Sequence, residues 1–373
     1  MGCGIFEVLS MPDESCSIYI PEDIMVDIFS RLPVKSLIRF QSLSKDYAKL
    51  FKTTTFISEH LHCSHNNPSL LCITPRKPWK PYFIRSHETK EEIKKADRPM
   101  SSLSTGSVIG CCNGLICMYH SRNWSLEALS IWNPATKEFR RIEVPSFISW
   151  WACGGEGFGF SAILNDYKIV MHYRNEEQAV YSLSTDTWRG TRVENFLSIY
   201  NFGGNPALSA NGALFWAGFE KVTSYKRCHC LISFDIDKEV FSKIKLPPGP
   251  DIDSEDLSLI QLALYKNSIA VLHETTNHER VDVWVRDEKS AIGECFTWVK
   301  LFTVGPFSSV LYAALAIWRE EIVIYNWEED SEDGVVLYHC SPSSNKLKKL
   351  PFQFFGGILH CFIYAESLVQ INS

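Results

Sequence analysis

The sequence predicts a mainly β protein, in which a three-helix module near the N-terminus precedes a single β-propeller of about six blades. Three observations support this prediction. Aromatic residues make up 13% of the 373 residues, with 11 Trp and 23 Phe, and such residues favour strands. A unit of three short hydrophobic strands joined by loops and polar turns recurs about six times along the chain. Nearer the N-terminus, between residues 18 and 61, apolar residues follow a helical spacing instead.

Length and charge restrict the classes of protein to which the chain can belong. The chain is long enough for two domains and a large core, so its size imposes no need for disulfide or metal staples. A formal net charge of -6 argues against a nucleic-acid partner and favours a protein or a small molecule. The 13 Cys form no disulfide framework, and the sequence shows neither a secretory signal nor an apolar run that could span a membrane. We therefore expect a reducing compartment, the cytoplasm or the nucleus.

The predicted helical module begins with an apolar stripe. Its members recur at one-, three- and four-residue steps and are Ile24, Met25, Ile28, Phe29 and Leu32. Pro21 suits the first position of this helix, Pro33 ends it, and Ser44 is a candidate N-cap of the third helix. The second helix carries Leu37, Phe40 and Leu43, and the third is expected to point Tyr47, Leu50 and Phe51 inward. So small a module cannot cover every apolar side chain, so it either docks on a partner or packs as a cap on the β domain.

Three segments of this module resemble an F-box of the plant type: residues 20–24, 28–37 and 56–61. F-boxes bind a Skp-family adaptor and, through it, a cullin ubiquitin ligase. The resemblance implies that the adaptor contacts are Ile20, Pro21, Ile24, Ile28, Leu32, Pro33, Val34 and Leu37, with Leu43, Tyr47 and Leu50 in support. Two departures from the family pattern are Tyr47, where Trp is usual, and Ser42-Leu43, where Cys-Val is usual.

The repeated strand unit extends through most of the remaining chain. The first strand of each unit is expected at residues 70–74, 115–119, 168–173, 213–217, 269–274 and 322–327. Their starts lie 45 to 56 residues apart, close to the period of kelch-type propellers. An aromatic residue follows several of the polar turns, and we expect Phe139, Trp188, Phe241 and Trp298 to pack between blades.

The same repeats resemble the F-box-associated domain that follows plant F-boxes. Matching stretches include residues 112–117, 132–136, 157–160 and 366–369. The predicted organisation is an N-terminal tail over residues 1–17, the F-box over 18–62 and an F-box-associated propeller with kelch-like blades over 63–373. Within this family the chain is similar to S-locus F-box-like proteins.

Three segments of the sequence are rich in glycine, cysteine or histidine but do not match the spacing of cofactor or metal sites. The glycines at 154, 155, 157 and 159 fit neither the dinucleotide nor the Walker spacing and are better explained by tight β-turns. Cys228-His229-Cys230 and Cys111-Cys112 lack a second pair of ligands at zinc-finger spacing. The sequence therefore predicts no catalytic residue, no metal and no cofactor.

Target binding is expected on one face of the propeller, where the loop after each predicted first strand and the links between blades come together. Two acidic segments belong to this set, and their residues are Asp251, Asp253, Glu255, Asp256, Glu328, Glu329, Asp330, Glu332 and Asp333. They could attract a basic protein, or they could only keep the protein soluble.

The resemblance implies a non-catalytic subunit that recruits a protein for ubiquitination and degradation. Related proteins recognise basic secreted ribonucleases in self-incompatibility, or control immune receptors, and both classes of target stay open. The alternatives are a catalytic propeller with carboxylates around its axis and a ligand-sensing propeller outside any ligase.

Overall fold

The computed structural model describes residues 21–73, 81–85, 94–95, 106–122, 125–146, 153–173, 177–192, 199–200, 206–221, 227–248, 260–275, 279–287, 297–307, 312–327, 334–355 and 360–371. Four helices lead into a ring of six β-sheets. The chain belongs to the mainly β class, as the composition and the repeats predicted.

The helices are α1 (Glu22–Ser30), α2 (Val34–Gln41), α3 (Lys45–Leu50) and α4 (Thr54–His65). Ser44 caps α3 as predicted, because its hydroxyl accepts a hydrogen bond from the backbone N–H of Asp46 at 3.1 Å. Pro21 lies one position earlier than predicted, at the N-cap of α1. The fourth helix adds to the three that were predicted, and it ends three residues beyond the predicted limit of the module at residue 62.

The strands, in chain order, are β1 (Ser69–Ile73), β2 (Pro81–Ile84), β3 (Lys94–Lys95), β4 (Gly106–Cys112), β5 (Leu115–Arg122), β6 (Ser125–Trp132), β7 (Phe139–Glu143), β8 (Cys153–Ser161), β9 (Asp166–Tyr173), β10 (Glu177–Ser182), β11 (Thr187–Arg192), β12 (Ile199–Tyr200), β13 (Leu208–Ala210), β14 (Ala213–Lys221), β15 (Arg227–Asp235), β16 (Val240–Lys245), β17 (Ile260–Tyr265), β18 (Ser268–Glu274), β19 (Val281–Asp287), β20 (Thr297–Val304), β21 (Tyr312–Trp318), β22 (Glu321–Trp327), β23 (Gly334–Ser341), β24 (Lys346–Phe355) and β25 (His360–Tyr364). Each of the six predicted first strands corresponds to a strand of the structure, namely β1, β5, β9, β14, β18 and β22.

Each sheet is one antiparallel blade of the propeller. Blade 1 has the strand order β25-β1-β2-β3. The other blades follow the chain: blade 2 is β4–β7, blade 3 is β8–β11, blade 4 is β12–β16, blade 5 is β17–β20 and blade 6 is β21–β24. The C-terminal strand β25 pairs with β1, so blade 1 is assembled from both ends of the chain and closes the ring. This pairing covers the inner edge of β1, and the radial arrangement of the blades leaves only short strand edges.

The repeat unit contains one strand more than the sequence predicted. Every blade has an additional strand before the predicted first one, and these additional strands contact each other around the ring. They therefore lie nearest the central axis. In blade 3 this strand is β8, so the glycines at 154, 155, 157 and 159 lie in a strand and the β-turn prediction was wrong. A Cβ on Gly157 would come within 2.8 Å of the Leu214 side chain, so glycine permits the close approach of the next blade.

Hydrophobic clusters fill the spaces between neighbouring blades. The four predicted aromatic residues all pack at these junctions, where Phe139 lies between blades 1 and 2, Trp188 between blades 2 and 3, Phe241 between blades 3 and 4, and Trp298 between blades 4 and 5. This arrangement packs one partly buried large ring at each of these junctions, as the repeat positions predicted.

The antiparallel order gives the ring two distinct faces. At one end of the ring, β25 finishes and β1 begins. The same end carries the turns that join the first strand of a blade to the second, and those that join the third strand to the fourth. We call this end the module face. The opposite end, called the loop face, is where the second strands finish and the third strands begin, and where the chain passes between blades. Because α4 leads directly into β1, the helical module must lie at the module face.

Candidate functional site

The helical module is organised around Phe29. The ring centroid of Phe29 lies 5.0 Å from that of Tyr47 and 5.2 Å from that of Phe51, both in edge-to-face geometry. Phe51 in turn packs against Phe56, with ring centroids 4.9 Å apart. Such pairs add about 0.5–1.5 kcal/mol each beyond the area that they bury. Tyr47 therefore fills the position at which the family usually has Trp, and its ring packs in the module's core.

A buried histidine ties α4 to the turn after α1. His60 is almost fully buried, and its Nε2 lies 2.9 Å from the carbonyl oxygen of Leu32. Burial lowers the pKa of His60, so the neutral ring is favoured in the folded state.

The module leaves several large aliphatic side chains in solvent. Ile24 is 49% exposed, Ile28 43%, Ile38 39% and Leu43 73%. Ile24 and Ile28 lie one helical turn apart on α1 and so share a face. Pro21 and Pro33, at the N-caps of α1 and α2, are also exposed. We call these six residues the apolar surface of the module.

The structure revises part of the predicted contact set. Val34 and Leu37, both predicted contacts, are fully buried, so their side chains belong to the core and not to the exposed surface of the module. Leu43 was predicted on the second helix as a supporting contact, and it lies exposed in the turn after α2. Leu32, Tyr47 and Leu50 are half-buried against the core, whereas Ile20 lies outside the described residues. The sequence analysis did not identify Ile38 as a contact, although its place on α2 one position after a buried leucine is compatible with an outward side chain.

The module is joined to the propeller through the segment that follows β25. Leu368, from this segment, is buried in the core of the module beside Phe29 and Phe56. Glu366 accepts a hydrogen bond from the backbone N–H of Val34 at 3.2 Å, and it also pairs with Arg85 of blade 1. The sequence analysis included both residues in a family match but assigned them no role.

Blade 6 makes a second junction with the end of α4. The indole Nε1 of Trp318 donates to the carbonyl oxygen of Pro68 at 2.9 Å. The guanidinium of Arg319 donates to Oδ1 of Asn67 at 2.6 Å. All of these contacts lie at the module face, so the apolar surface and the loop face belong to opposite ends of the propeller.

The predicted target-binding residues lie outside the described residues. Asp251, Asp253, Glu255 and Asp256 belong to the link from β16 to β17, and Glu328, Glu329, Asp330, Glu332 and Asp333 belong to the connection from β22 to β23. The described strands that flank both segments end at the loop face. The predicted assignment of the two segments to one face agrees with the topology of their flanking strands.

The described part of the chain contains no group of three or more His, Cys, Asp or Glu side chains that could hold a metal ion. Burial raises the pKa of the Cys72 and Cys117 thiols, which disfavours the thiolate that nucleophilic chemistry requires. Within the described residues, none of the helices combines the length and the apolar character that crossing a bilayer demands.

Two family models match the chain. The model described as the F-box domain matches residues 19–58. The model described as the F-box associated beta propeller domain matches residues 82–371, which is most of the chain.

Relatives in Arabidopsis thaliana match over most of their length. An F-box/kelch-repeat protein is 24% identical over 376 residues, covering 95% of this chain and 96% of the relative. Protein SUPPRESSOR OF NIM1 1 is 26% identical over 379 residues, covering 94% and 98% of the two chains. F-box protein CPR1 is 25% identical over 323 residues, covering 78% and 74%.

Proposed function

Because this chain belongs to the family of F-box proteins that carry an F-box associated β-propeller domain, we propose that it selects protein targets for a cullin ubiquitin ligase. In this proposal a Skp-family adaptor docks on the helical module and a target protein binds at the loop face. The chain itself is non-catalytic and acts by holding the target close to the transferring enzyme, which raises the effective concentration of the reacting groups.

The observation that carries the proposal is the apolar surface of a closely packed module. Ile24, Ile28, Ile38 and Leu43 remain between 39% and 73% exposed while the core beneath them is complete. Full burial of one such side chain contributes about 1.5–3 kcal/mol, so covering the exposed part of each contributes about 1 kcal/mol. An adaptor with a matching apolar surface gains this energy without rearranging the module.

The arrangement of the two faces supports separate binding sites for the adaptor and the target. The helical module contacts the module face through Glu366, Leu368 and Arg319. The strands flanking the two acidic segments end at the opposite face. A target bound there would not compete with the adaptor for space on the protein.

Adaptor docking is tested with a recombinant Skp-family adaptor of Arabidopsis and the full chain, by isothermal titration calorimetry. We expect Ile28→Asp to weaken binding a hundredfold or more, because it places a carboxylate in the apolar contact. Val240→Asp is the matched control, since Val240 is 53% exposed at the start of the outer strand β16 of blade 4 and is not part of the helical module. Failure of the wild-type chain to bind, or equal binding by the wild type and Ile28→Asp, would contradict the proposal.

The target is proposed to be a protein with a basic surface, attracted by the acidic segments 251–256 and 328–333. A basic secreted ribonuclease of self-incompatibility and an immune receptor are the two classes that the resemblance to S-locus and related F-box proteins suggests. Recruitment would take place in the cytoplasm or the nucleus, and the free thiols among the described cysteines are in keeping with a reducing compartment.

Target binding is tested in pulldowns with a basic ribonuclease or a receptor domain at graded salt concentrations. Neutralising the acidic residues of both segments should reduce capture and flatten its dependence on salt. Glu320→Gln removes an exposed charge from the module face and serves as control. Unchanged capture and an unchanged salt response would refute the role of the acidic segments, while affinity purification with the proteasome blocked would identify the target.

A further inference from the structure

The C-terminal segment 365–371 lies between the two parts of the molecule. It follows β25, the strand that closes the ring, and it continues along the module face. We call residues 365–371 the closing segment. Some of its backbone and side-chain groups contact the propeller, and others contact the helical module. These two sets of contacts suggest a role beyond closure of the ring.

On one side the closing segment is fixed to the propeller. The fully buried Asn133 of blade 2 donates from Nδ2 to the carbonyl oxygens of Ser367 and Val369, at 3.0 and 2.9 Å. The backbone N–H of Ile371 donates to the carboxylate of Glu138 at 2.8 Å, and the Ile371 side chain is buried in the cluster between blades 2 and 3. These contacts fix the path of the segment from residue 367 to residue 371.

On the other side the segment completes the helical module. The Leu368 side chain is only 4% exposed and lies in the module's core with Phe29, Val34 and Leu37. The N-cap of α2 is Pro33, which makes no side-chain capping bond. Glu366 provides the missing hydrogen-bond acceptor. The Glu366 carboxylate accepts from the backbone N–H of Val34, the first residue of α2.

Leu368 and Glu366 both lie more than 300 positions along the sequence from the residues of α1 and α2 that they contact. A helix of eight residues such as α2 is marginal without tertiary contacts, and the module has a small core. Leu368 can reach that core only after β25 has paired with β1, because Leu368 follows β25 by four residues. The module's core is therefore complete only in a chain whose ring is closed.

We propose that Leu368 and Glu366 are positioning residues for adaptor binding. They hold α1 and α2 in the arrangement that presents the apolar surface, so that the docking module is fully competent only when the target-binding propeller is complete. This inference rests on the proposed function, since it assumes that the apolar surface docks the adaptor. Its consequence is that an incompletely folded chain would not bring a defective propeller to the ligase.

The test compares two leucine-sized residues of the same segment in the full chain. Leu368→Ala removes a side chain from the core of the module, whereas Ile371→Ala removes one from the core of the propeller. Affinity for a recombinant Skp-family adaptor, hydrogen exchange of residues 22–41 and the midpoint of urea unfolding are measured for each. We expect Leu368→Ala to weaken adaptor binding tenfold or more, with faster exchange in α1 and α2. Ile371→Ala should lower the unfolding midpoint and leave adaptor affinity within about twofold of the wild type.

Two further variants separate positioning from general damage. Leu368→Met preserves the apolar volume and should restore adaptor binding. Glu366→Ala removes the acceptor for the Val34 N–H together with the ion pair to Arg85 of blade 1, and it should weaken adaptor binding several-fold while lowering the unfolding midpoint less than Ile371→Ala does. Wild-type affinity in both Leu368→Ala and Glu366→Ala would overturn the inference, as would an equal loss in Leu368→Ala and Ile371→Ala. If the wild-type chain fails to bind any adaptor, the proposed function falls instead.

Discussion

The indole nitrogen of Trp188 donates a hydrogen bond to the backbone carbonyl oxygen of Glu143 in the preceding blade, at 3.0 Å. Trp298 repeats the same relationship two blades further on, donating to the carbonyl oxygen of Lys245 at 2.7 Å. In both cases the ring packs into the hydrophobic cluster between the blades while its polar edge reaches the neighbouring outer strand. The repeat therefore joins its blades by a directional bond as well as by apolar contact.

Replacing either tryptophan by phenylalanine tests the value of this bond. We expect Trp188→Phe and Trp298→Phe each to lower the free energy of unfolding by about 1–2 kcal/mol, since each removes one hydrogen bond and part of an aromatic contact. The two losses should add, because the residues lie in separate clusters. Urea unfolding followed by circular dichroism gives the values. Val299→Ala, beside Trp298 but exposed, is the control, and equal effects of Val299→Ala and Trp298→Phe would refute the role of the bond.

Stability should fall in mild acid because two buried histidines resist protonation. Burial lowers the pKa of His172 and of His360 from 6.5 to about 4. Between these values the unfolded chain binds a proton that the folded chain does not, so folding stability decreases as the pH falls. The contribution is present in full above about pH 6.5 and is lost progressively towards pH 4. At pH 5 we expect a loss of about 1–2 kcal/mol for each histidine.

The measurement is urea unfolding at pH 7.5 and at pH 5 for the wild type and for His172→Leu. His172 packs beside the Phe241 ring, with ring centroids 5.0 Å apart, so leucine suits its surroundings. The difference in stability between the two pH values should shrink in this variant by the share that His172 contributes. An unchanged difference would show that His172 does not titrate in this range.

A disulfide between two cysteines could link the two strands that close the ring. Cys72 on β1 faces Cys361 on β25 in the register of the closing strands, and their sulfur atoms lie 3.5 Å apart as free thiols. Burial raises the pKa of the Cys72 thiol and so limits the thiolate that diamide requires, and we therefore expect the oxidant to join the two cysteines slowly, as a disulfide formed after a small rotation of the side chains. A link between residues 289 positions apart restricts the unfolded chain, so the oxidised protein should unfold at higher urea concentration.

Peptide mapping under non-reducing conditions identifies the product, and Cys72→Ser is the control. Cross-links to other cysteines in place of the pair formed by Cys72 and Cys361 would contradict the closure of blade 1 by β25.

Much of the fold could be predicted from the sequence because the repeats carry a local signal. Strands such as β5 and β9 contain short apolar runs, polar turns follow the next strands β6 and β10, and the aromatic residue after each of these turns marks the junction between blades. The strands nearest the axis have a weaker signal. In β8 the glycines that allow close approach of the next blade also interrupt the apolar pattern, so the strand resembles a turn in the sequence. The pairing of β25 with β1 depends on a contact between the ends of the chain, which no local pattern indicates.

The sequence predicts an apolar face in the helical module but does not separate its exposed residues from its buried ones. The spacing of Ile24 and Ile28 marks an apolar helical face, and both side chains are exposed as a docking surface requires. Val34 and Leu37 are equally apolar, and only the packing of Phe29, Phe51 and Leu368 around them shows that they lie in the core. The contribution of Leu368 could not be predicted because its partners lie more than 300 residues away.

A pair of glycines at equivalent turns distinguishes the contact with the closing segment from ordinary backbone strain. Gly114 and Gly212 both follow an asparagine in a hairpin turn and have φ values of 76° and 73°. A Cβ on Gly114 would lie 2.4 Å from Cβ of Ser367 and 2.6 Å from the carbonyl oxygen of Ala365, whereas the nearest atom to a Cβ on Gly212 is 3.8 Å away. Both alanine variants should lose about 1–2 kcal/mol of stability from the left-handed backbone. Gly114→Ala should lose about 1–3 kcal/mol more, because the closing segment must move.

Only Gly114→Ala should also weaken adaptor binding, since displacement of residues 365–367 disturbs Glu366 and Leu368. Urea unfolding and adaptor titration on the two variants measure the two effects separately. If Gly114→Ala and Gly212→Ala lose the same stability and both retain wild-type adaptor affinity, the closing segment does not support the helical module, because the two sites share their backbone strain and differ in their contact with that segment.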